Sequence, residues 1–270
     1  MMLIMLRNAL IWTFCLGVAS GIAPPLKATT LEVASDTLSS RRVIRSQILG
    51  YGLQFWVYTP PGHESMENLP ALYVSDGAWY LRSGQLAALA DSMITTGEIE
   101  PIVIVFLDAR NPDNLDINRR NEQFFCNPRF IDFVRDELVP RIDQNYHTFS
   151  DRTARSILGL SFGGLNSACF GLHAHDTFEG IAMQSPAMHP VKTIHQAYAD
   201  SSRLPIKVFL SSGDHRDNED RTRRLRDILE NKGYPLHYME VPFAHNWMNW
   251  KPLLDDMLTY FYASNATQTN

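Results

Sequence analysis

Short, solid apolar runs alternate along this chain with longer stretches in which apolar residues return every three or four positions. The runs Leu53 to Tyr58, Ala71 to Ser75, Ile102 to Leu107, Ser156 to Leu160, Glu179 to Gln184, Ile206 to Ser211 and Leu236 to Val241 have the length and residue content of strands. An earlier run, Arg42 to Leu49, reads as another. Several have no polar face, as in Ile102-Val103-Ile104-Val105-Phe106, which is the pattern of parallel strands covered on both sides. Between the runs, Phe130, Phe133, Val134 and Leu138 trace one face of a helix, with Pro140 placed to end or kink it. Leu225, Ile228 and Leu229 trace a second, stopped at Gly233-Tyr234-Pro235, and Leu253, Leu254, Met257, Leu258 and Phe261 a third. The alternation predicts an α/β fold: a mainly parallel central sheet of about eight strands with helices on both faces.

The ends of the chain read differently. Arg7 is the only charge before an apolar stretch from Ala9 to Ala19, and Ala19-Ser20-Gly21 follows as a small-residue site. That order is the signature of a secretory signal peptide. Residues 1–28 are therefore expected to be a leader, cut between about 20 and 28, ahead of one domain at 29–264 and a frayed tail at 265–270. The expected location is the periplasm or the medium. No apolar run reaches the roughly 18 residues of a membrane span. Export leaves Cys126 and Cys169, a pair with no framework spacing, so buried free thiols are expected rather than a bridge. Ala109 to Gln123 is rich in Asn, Asp and Arg and reads as a long loop, and a lid is expected within Asn111 to Asn127.

Charge narrows the partners. The net charge is -5, and no dense Lys/Arg run gives a nucleic-acid footprint. The cluster Arg221, Arg223, Arg224 and Arg226 is interleaved with Asp220 and Asp227 and reads as a solvated helix face. His173 and His175 have no third ligand at suitable spacing, so neither a metal nor an organic cofactor is expected.

The sharpest chemical feature is Gly159-Leu160-Ser161-Phe162-Gly163-Gly164, set between a strand-like and a helix-like segment. G-x-S-x-G in that context is the nucleophile elbow of α/β hydrolases: the glycines allow close approach of strand and helix, and the serine stands at the helix N-terminus. A serine needs a base, and His245 follows the last strand, where the base belongs in the chain order serine, acid, histidine. The acid belongs after Ile206 to Ser211. Asp217 is favoured there and Asp214 is the alternative, each equally able to act as a helix-start carboxylate. Two amides must hold the oxyanion: that of Phe162, directly after the serine, and that of Ala78, in the turn Asp76-Gly77-Ala78-Trp79.

Taken in order, Val57-Tyr58-Thr59-Pro60-Pro61-Gly62, Leu72-Tyr73-Val74-Ser75-Asp76-Gly77, Asp136-Glu137-Leu138-Val139-Pro140, the elbow, Lys232-Gly233-Tyr234 with Glu240-Val241, and His245-Asn246-Trp247 with Trp250 resemble one family. It is the esterase family of α/β hydrolases that includes the enterochelin esterases and the mycobacterial mycolyltransferases. The resemblance covers nearly the whole chain after the leader. It departs at Phe243-Ala244, where the family usually has Gly-Gly, and in the register of the acid, so that a Ser–His dyad stays open. The resemblance implies a serine esterase acting through an acyl-enzyme on a small-molecule ester, in first place a catecholate trilactone or its linear pieces. Such anionic aromatic ligands favour arginines and aromatic faces, which makes Arg119, Arg120, Trp79, Trp247 and Trp250 the candidate substrate contacts, with Arg110 close by. A feruloyl or carbohydrate-linked acyl ester, an acyltransferase, and a hydrolase fold used only for binding are the alternatives.

Overall fold

The computed structural model describes residues 37–264; the proposed leader and tail lie outside the described residues. Eight strands form one sheet in the order β1-β2-β4-β3-β7-β8-β9-β10. They are β1 (Arg42–Arg45), β2 (Gly52–Tyr58), β3 (Ala71–Val74), β4 (Val103–Asp108), β7 (Arg155–Leu160), β8 (Gly180–Gln184), β9 (Lys207–Gly213) and β10 (Leu236–Val241). From β4 to β10 every pairing is parallel, and β2 joins β4 antiparallel, as β1 joins β2. This is the mainly parallel α/β-hydrolase-type sheet that the apolar runs predict.

The solid runs make sense once the two faces are compared. In β4, Val103, Val105 and Leu107 pack into one core and Ile104 and Phe106 into the other. β3 divides the same way, with Ala71 and Tyr73 on one side and Leu72 and Val74 on the other. Successive side chains of a strand point to opposite faces, so a strand covered on both sides needs apolar residues at every position. One face is covered by a helical segment over 128–146, by Phe162–His173 and by Glu219–Asn231; the other by Leu86–Thr95 and Leu254–Tyr262.

Three local expectations need correction. The first run yields a strand only over Arg42–Arg45, because Ser46 turns the chain, its side chain accepting from the Leu49 amide. Pro140 does not end its helix: helical backbone runs on through it to Tyr146, and the wide turn over Val134–Leu138 directly before it takes up the irregularity in the hydrogen-bond ladder. The polar stretch after β4 is not a structureless loop either. It folds as a hairpin, β5 (Arg110–Asn111) with β6 (Asn114–Asn118), followed by a short helix, Arg120–Phe124. Asn111, Asn114 and Asn118 side chains each accept from a backbone amide two residues on, so the polar residues build local turns instead of leaving a free loop.

The cysteines are also corrected. Cys126 and Cys169 form a disulfide, with Cα atoms 5.2 Å apart. It fastens the segment after the Arg120–Phe124 helix to the Phe162–His173 helix, an encounter that sequence spacing does not reveal.

Candidate active site

β3 has β4 on one side and β7 on the other: the chain passes from β3 to β4 and later crosses back to β7, so the strand order reverses here. A crevice opens at the carboxyl ends of strands at such a switch point. The candidate residues follow β3, β7, β9 and β10 at that end.

Ser161 comes directly after β7 and caps the Phe162–His173 helix with φ 55 and ψ -117. A positive φ is costly for a serine, and it persists only where the surroundings enforce it. Here the cause is close strand–helix packing: a Cβ on Gly159 would lie 2.2 Å from the Gly163 backbone. The Ser161 amide donates to the Gln184 carbonyl at 2.9 Å, which pins the turn to β8. Phe162 is the first residue of its helix, and its amide has no intrahelical acceptor.

The turn after β3 is built similarly. Asp76, at φ 57, turns the chain from β3 into the short helical turn Gly77–Trp79. Only glycine fits next, since a Cβ on Gly77 would lie 2.5 Å from the Phe106 backbone. Ala78 therefore has its amide in a first turn, without an intrahelical acceptor.

His245 and the acid approach from the far strands. The His245 Nδ1 lies 2.5 Å from Asp217 Oδ1. Asp217 has no exposed side-chain surface, and its Oδ2 accepts from the Ser185 hydroxyl at 2.6 Å, the Gly213 amide at 2.5 Å and Asn249 Nδ2 at 2.9 Å. Burial alone would raise this carboxyl; the bonds from His245, Ser185 and Gly213 outweigh it and bring it down to about 2. Asp214 is instead turned to its neighbour His215 on the exposed loop, with no bond to His245. Of the two carboxylates that sequence left open, Asp217 is the one against the imidazole.

Ser185 was not singled out from sequence. It follows β8 at φ 45, donates to Asp217 and accepts from Trp250 Nε1 at 2.9 Å. Asn249 was missed for the same reason: neither residue belongs to a recognisable motif, and both acquire meaning only where four strand ends converge. Behind them Tyr80 donates to Gln184, whose side-chain amide donates to the Trp250 carbonyl. The Ser161 turn, Asp217 and the loop of His245 thus share one buried polar network.

The proposed substrate contacts separate into two groups. Trp79 is 44 % exposed beside Ala78. Trp250 is buried; it meets the His245 ring edge-on at 4.8 Å and serves the scaffold, while Trp247 packs edge-on between Tyr80 and Trp250. Arg120 is turned inward and paired in fork fashion with Asp76, at 2.7 and 2.6 Å, and its guanidinium lies over the Phe162 ring. It reaches the Leu160 carbonyl at 3.4 Å, and so ties the turn after β3 to the end of β7. Burial pushes the Asp76 carboxyl up, while the Arg120 guanidinium opposes that rise. Arg119 lies over Tyr51 and pairs with Glu122. Both guanidiniums thus have carboxylate partners within the protein. A small cleft of about 70 Å³ between Asp76, Ala78, Trp79 and Arg120 opens beside the donor turn.

Residues 46–261 match the family described as "Putative esterase". An iron(III) enterobactin esterase of Dickeya dadantii is 29 % identical over 274 residues, covering 93 % of this chain and 59 % of its own length. The uncharacterized protein YjcH of Bacillus subtilis is 24 % identical over 226 residues, covering 79 % of this chain and 92 % of its own length. Among solved structures, the enterobactin esterase FES of Shigella flexneri has a TM-score of 0.74 at 20 % identity, over 82 % of this chain and 58 % of that one. A ferulic acid esterase has a TM-score of 0.73 at 20 % identity, over 83 % of this chain and 98 % of that one. The chain spans less than two thirds of the enterobactin esterases it matches. The match runs from the turn after β1 into the last helix and takes in the elbow, the donor turn and the histidine loop, so the chain belongs to the esterase family of α/β hydrolases, in its enterochelin esterase-like part.

Proposed function

We propose that the chain is a serine esterase that cleaves catecholate siderophore esters, trilactone or linear, in an exported location. The observation that carries the mechanism is the Asp217–His245 pair, together with a serine held at positive φ in the tight turn after β7. In this reading Asp217 fixes the proton on His245 Nδ1, leaving Nε2 to take the Ser161 proton as Oγ attacks the ester carbonyl. The amides of Phe162 and Ala78 hold the oxyanion. His245 returns the proton to the leaving alcohol, water enters, and the same imidazole drives hydrolysis of the acyl-enzyme. Asp217 is ionised throughout the neutral range, as this role needs.

The siderophore assignment is supported by likeness to the enterobactin esterases, and export by the leader pattern together with a disulfide of the kind that persists in oxidising compartments. A second reading, a feruloyl esterase, is supported by the near-complete coverage of the ferulic acid esterase structure. The test compares the protein with Ser161→Ala on a catecholate trilactone, a feruloyl sugar ester and a p-nitrophenyl ester. Trilactone cleavage that falls by about 10³-fold or more in Ser161→Ala is expected. Cleavage of the feruloyl ester alone would move the assignment to the second reading, and turnover indifferent to Ser161 would overturn the mechanism.

A further inference from the structure

A second, larger cavity of about 420 Å³ opens beside Ala78 and shares Ala78 and Arg110 with the small cleft of the donor turn. An apolar cavity of about 150 Å³ already accepts benzene, so this one has room for a substituted ring and its linker. Its walls come from separate elements. Trp56 arrives from β2, Leu38 from the segment bridged to Tyr58, Leu81 and Arg82 from the turn after Trp79, and Arg110 from the start of β5.

The two guanidiniums differ. Asp108 holds Arg110 through Nε at 3.0 Å and Nη2 at 2.5 Å, which fixes its place and neutralises it. Arg82 makes one hydrogen bond among the described residues, from Nε to the Ala78 carbonyl at 3.2 Å, and no ion pair. Its terminal nitrogens are therefore available. Anchored to the residue proposed to hold the oxyanion, this uncompensated charge sits on the rim of a cavity that also offers an indole and aliphatic side chains. Arginine both stacks on flat rings and donates in pairs to adjacent oxygens, which matches a ring with vicinal oxygens better than an aliphatic chain.

We infer that this cavity seats the aromatic ring of the ester's acyl group, a ring of catechol type, with Trp56 as its apolar platform and Arg82 as the specificity-determining cation. The inference rests on the proposed ester-hydrolase reading and adds to it the place where substrate class is decided. It moves the recognition of the ring's oxygens from Arg119 and Arg120 to Arg82.

Binding of 2,3-dihydroxybenzamide and of unsubstituted benzamide, measured by calorimetry on the full protein at mildly alkaline pH, tests it. The dihydroxy ring is expected to bind more tightly. Arg82→Gln should remove that preference, weakening the dihydroxy ring about tenfold and leaving benzamide unchanged. Trp56→Leu should weaken both rings. A wild-type protein without the preference, or an Arg82→Gln protein that keeps it, overturns the inference. The trilactone assay separates the two levels. Trilactone turnover without the ring preference sinks the subsite alone; the preference without trilactone turnover keeps the subsite and moves the ester to another aryl class.

Discussion

At Asp217 five donors, from His245, Ser185, Ser212, Gly213 and Asn249, converge on one buried carboxylate, and the balance between burial and those donors decides its charge. Its carboxyl titrates at about 2 in the folded chain, below the ordinary 3.8, so its contribution to stability is complete above about pH 4 and is lost as pH falls towards 2. Asp217→Asn should therefore remove acid-dependent stability on the order of 2 kcal/mol across that window, read as a flatter melting-temperature profile. The same substitution should lower kcat about 10⁴-fold on any ester the protein turns over, because the imidazole loses the partner that sets its tautomer. A kcat indifferent to Asp217→Asn would favour the Ser–His dyad that the sequence left open. Residue identity was legible here only in part. Ser161 and His245 stand in marked sequence contexts, whereas choosing between Asp214 and Asp217 depends on which carboxylate faces inward when the loop after β9 closes.

Among the elements, the segment between β4 and the Phe162–His173 helix shows where pattern reading falls short. Its Asn, Asp and Arg content is that of a loop, yet those side chains satisfy local backbone groups and each other, and Arg120 is drawn into the protein by Asp76. Periodicity registers apolar burial and is blind to a polar segment anchored by paired charges. The Cys126–Cys169 bridge completes the anchoring across 43 residues. In the chain-entropy account a loop of that length stabilises by about 4 kcal/mol, so reduction should lower the melting temperature by about 10 °C. Scanning calorimetry with and without dithiothreitol, beside Cys169→Ala, measures it. A melting temperature unmoved by either treatment would leave the bridge without a role in stability.

For the whole molecule, strands covered on both faces and helices spread over two cores account for a single cooperative sheet, with loops of the carboxyl edge free to carry chemistry. Among the described residues no helix is long and apolar enough to cross a membrane. The export proposal is tested at this scale. Expression of the full chain in a host with a periplasm should yield a protein shortened at the N-terminus by about 20 to 28 residues, seen by mass spectrometry, and carrying the oxidised bridge. Recovery of the intact chain with free thiols would remove export from the reading.

The sequence by itself determined the α/β architecture and the elbow, because burial on two faces writes solid apolar runs into strands, and a tight strand–helix turn admits only small residues around Ser161. It also marked His245 and the Asp76–Trp79 turn as candidates, since each lies in the segment that follows a strand at the carboxyl edge of the sheet. Only the tertiary structure decided that Asp217 is the carboxylate on His245, that Ser185 and Asn249 hold it, that Arg120 pairs with Asp76, and that the two cysteines pair. Those contacts join residues far apart in sequence, and their energies come from buried charges and hydrogen bonds whose partners exist only once the strands have come together.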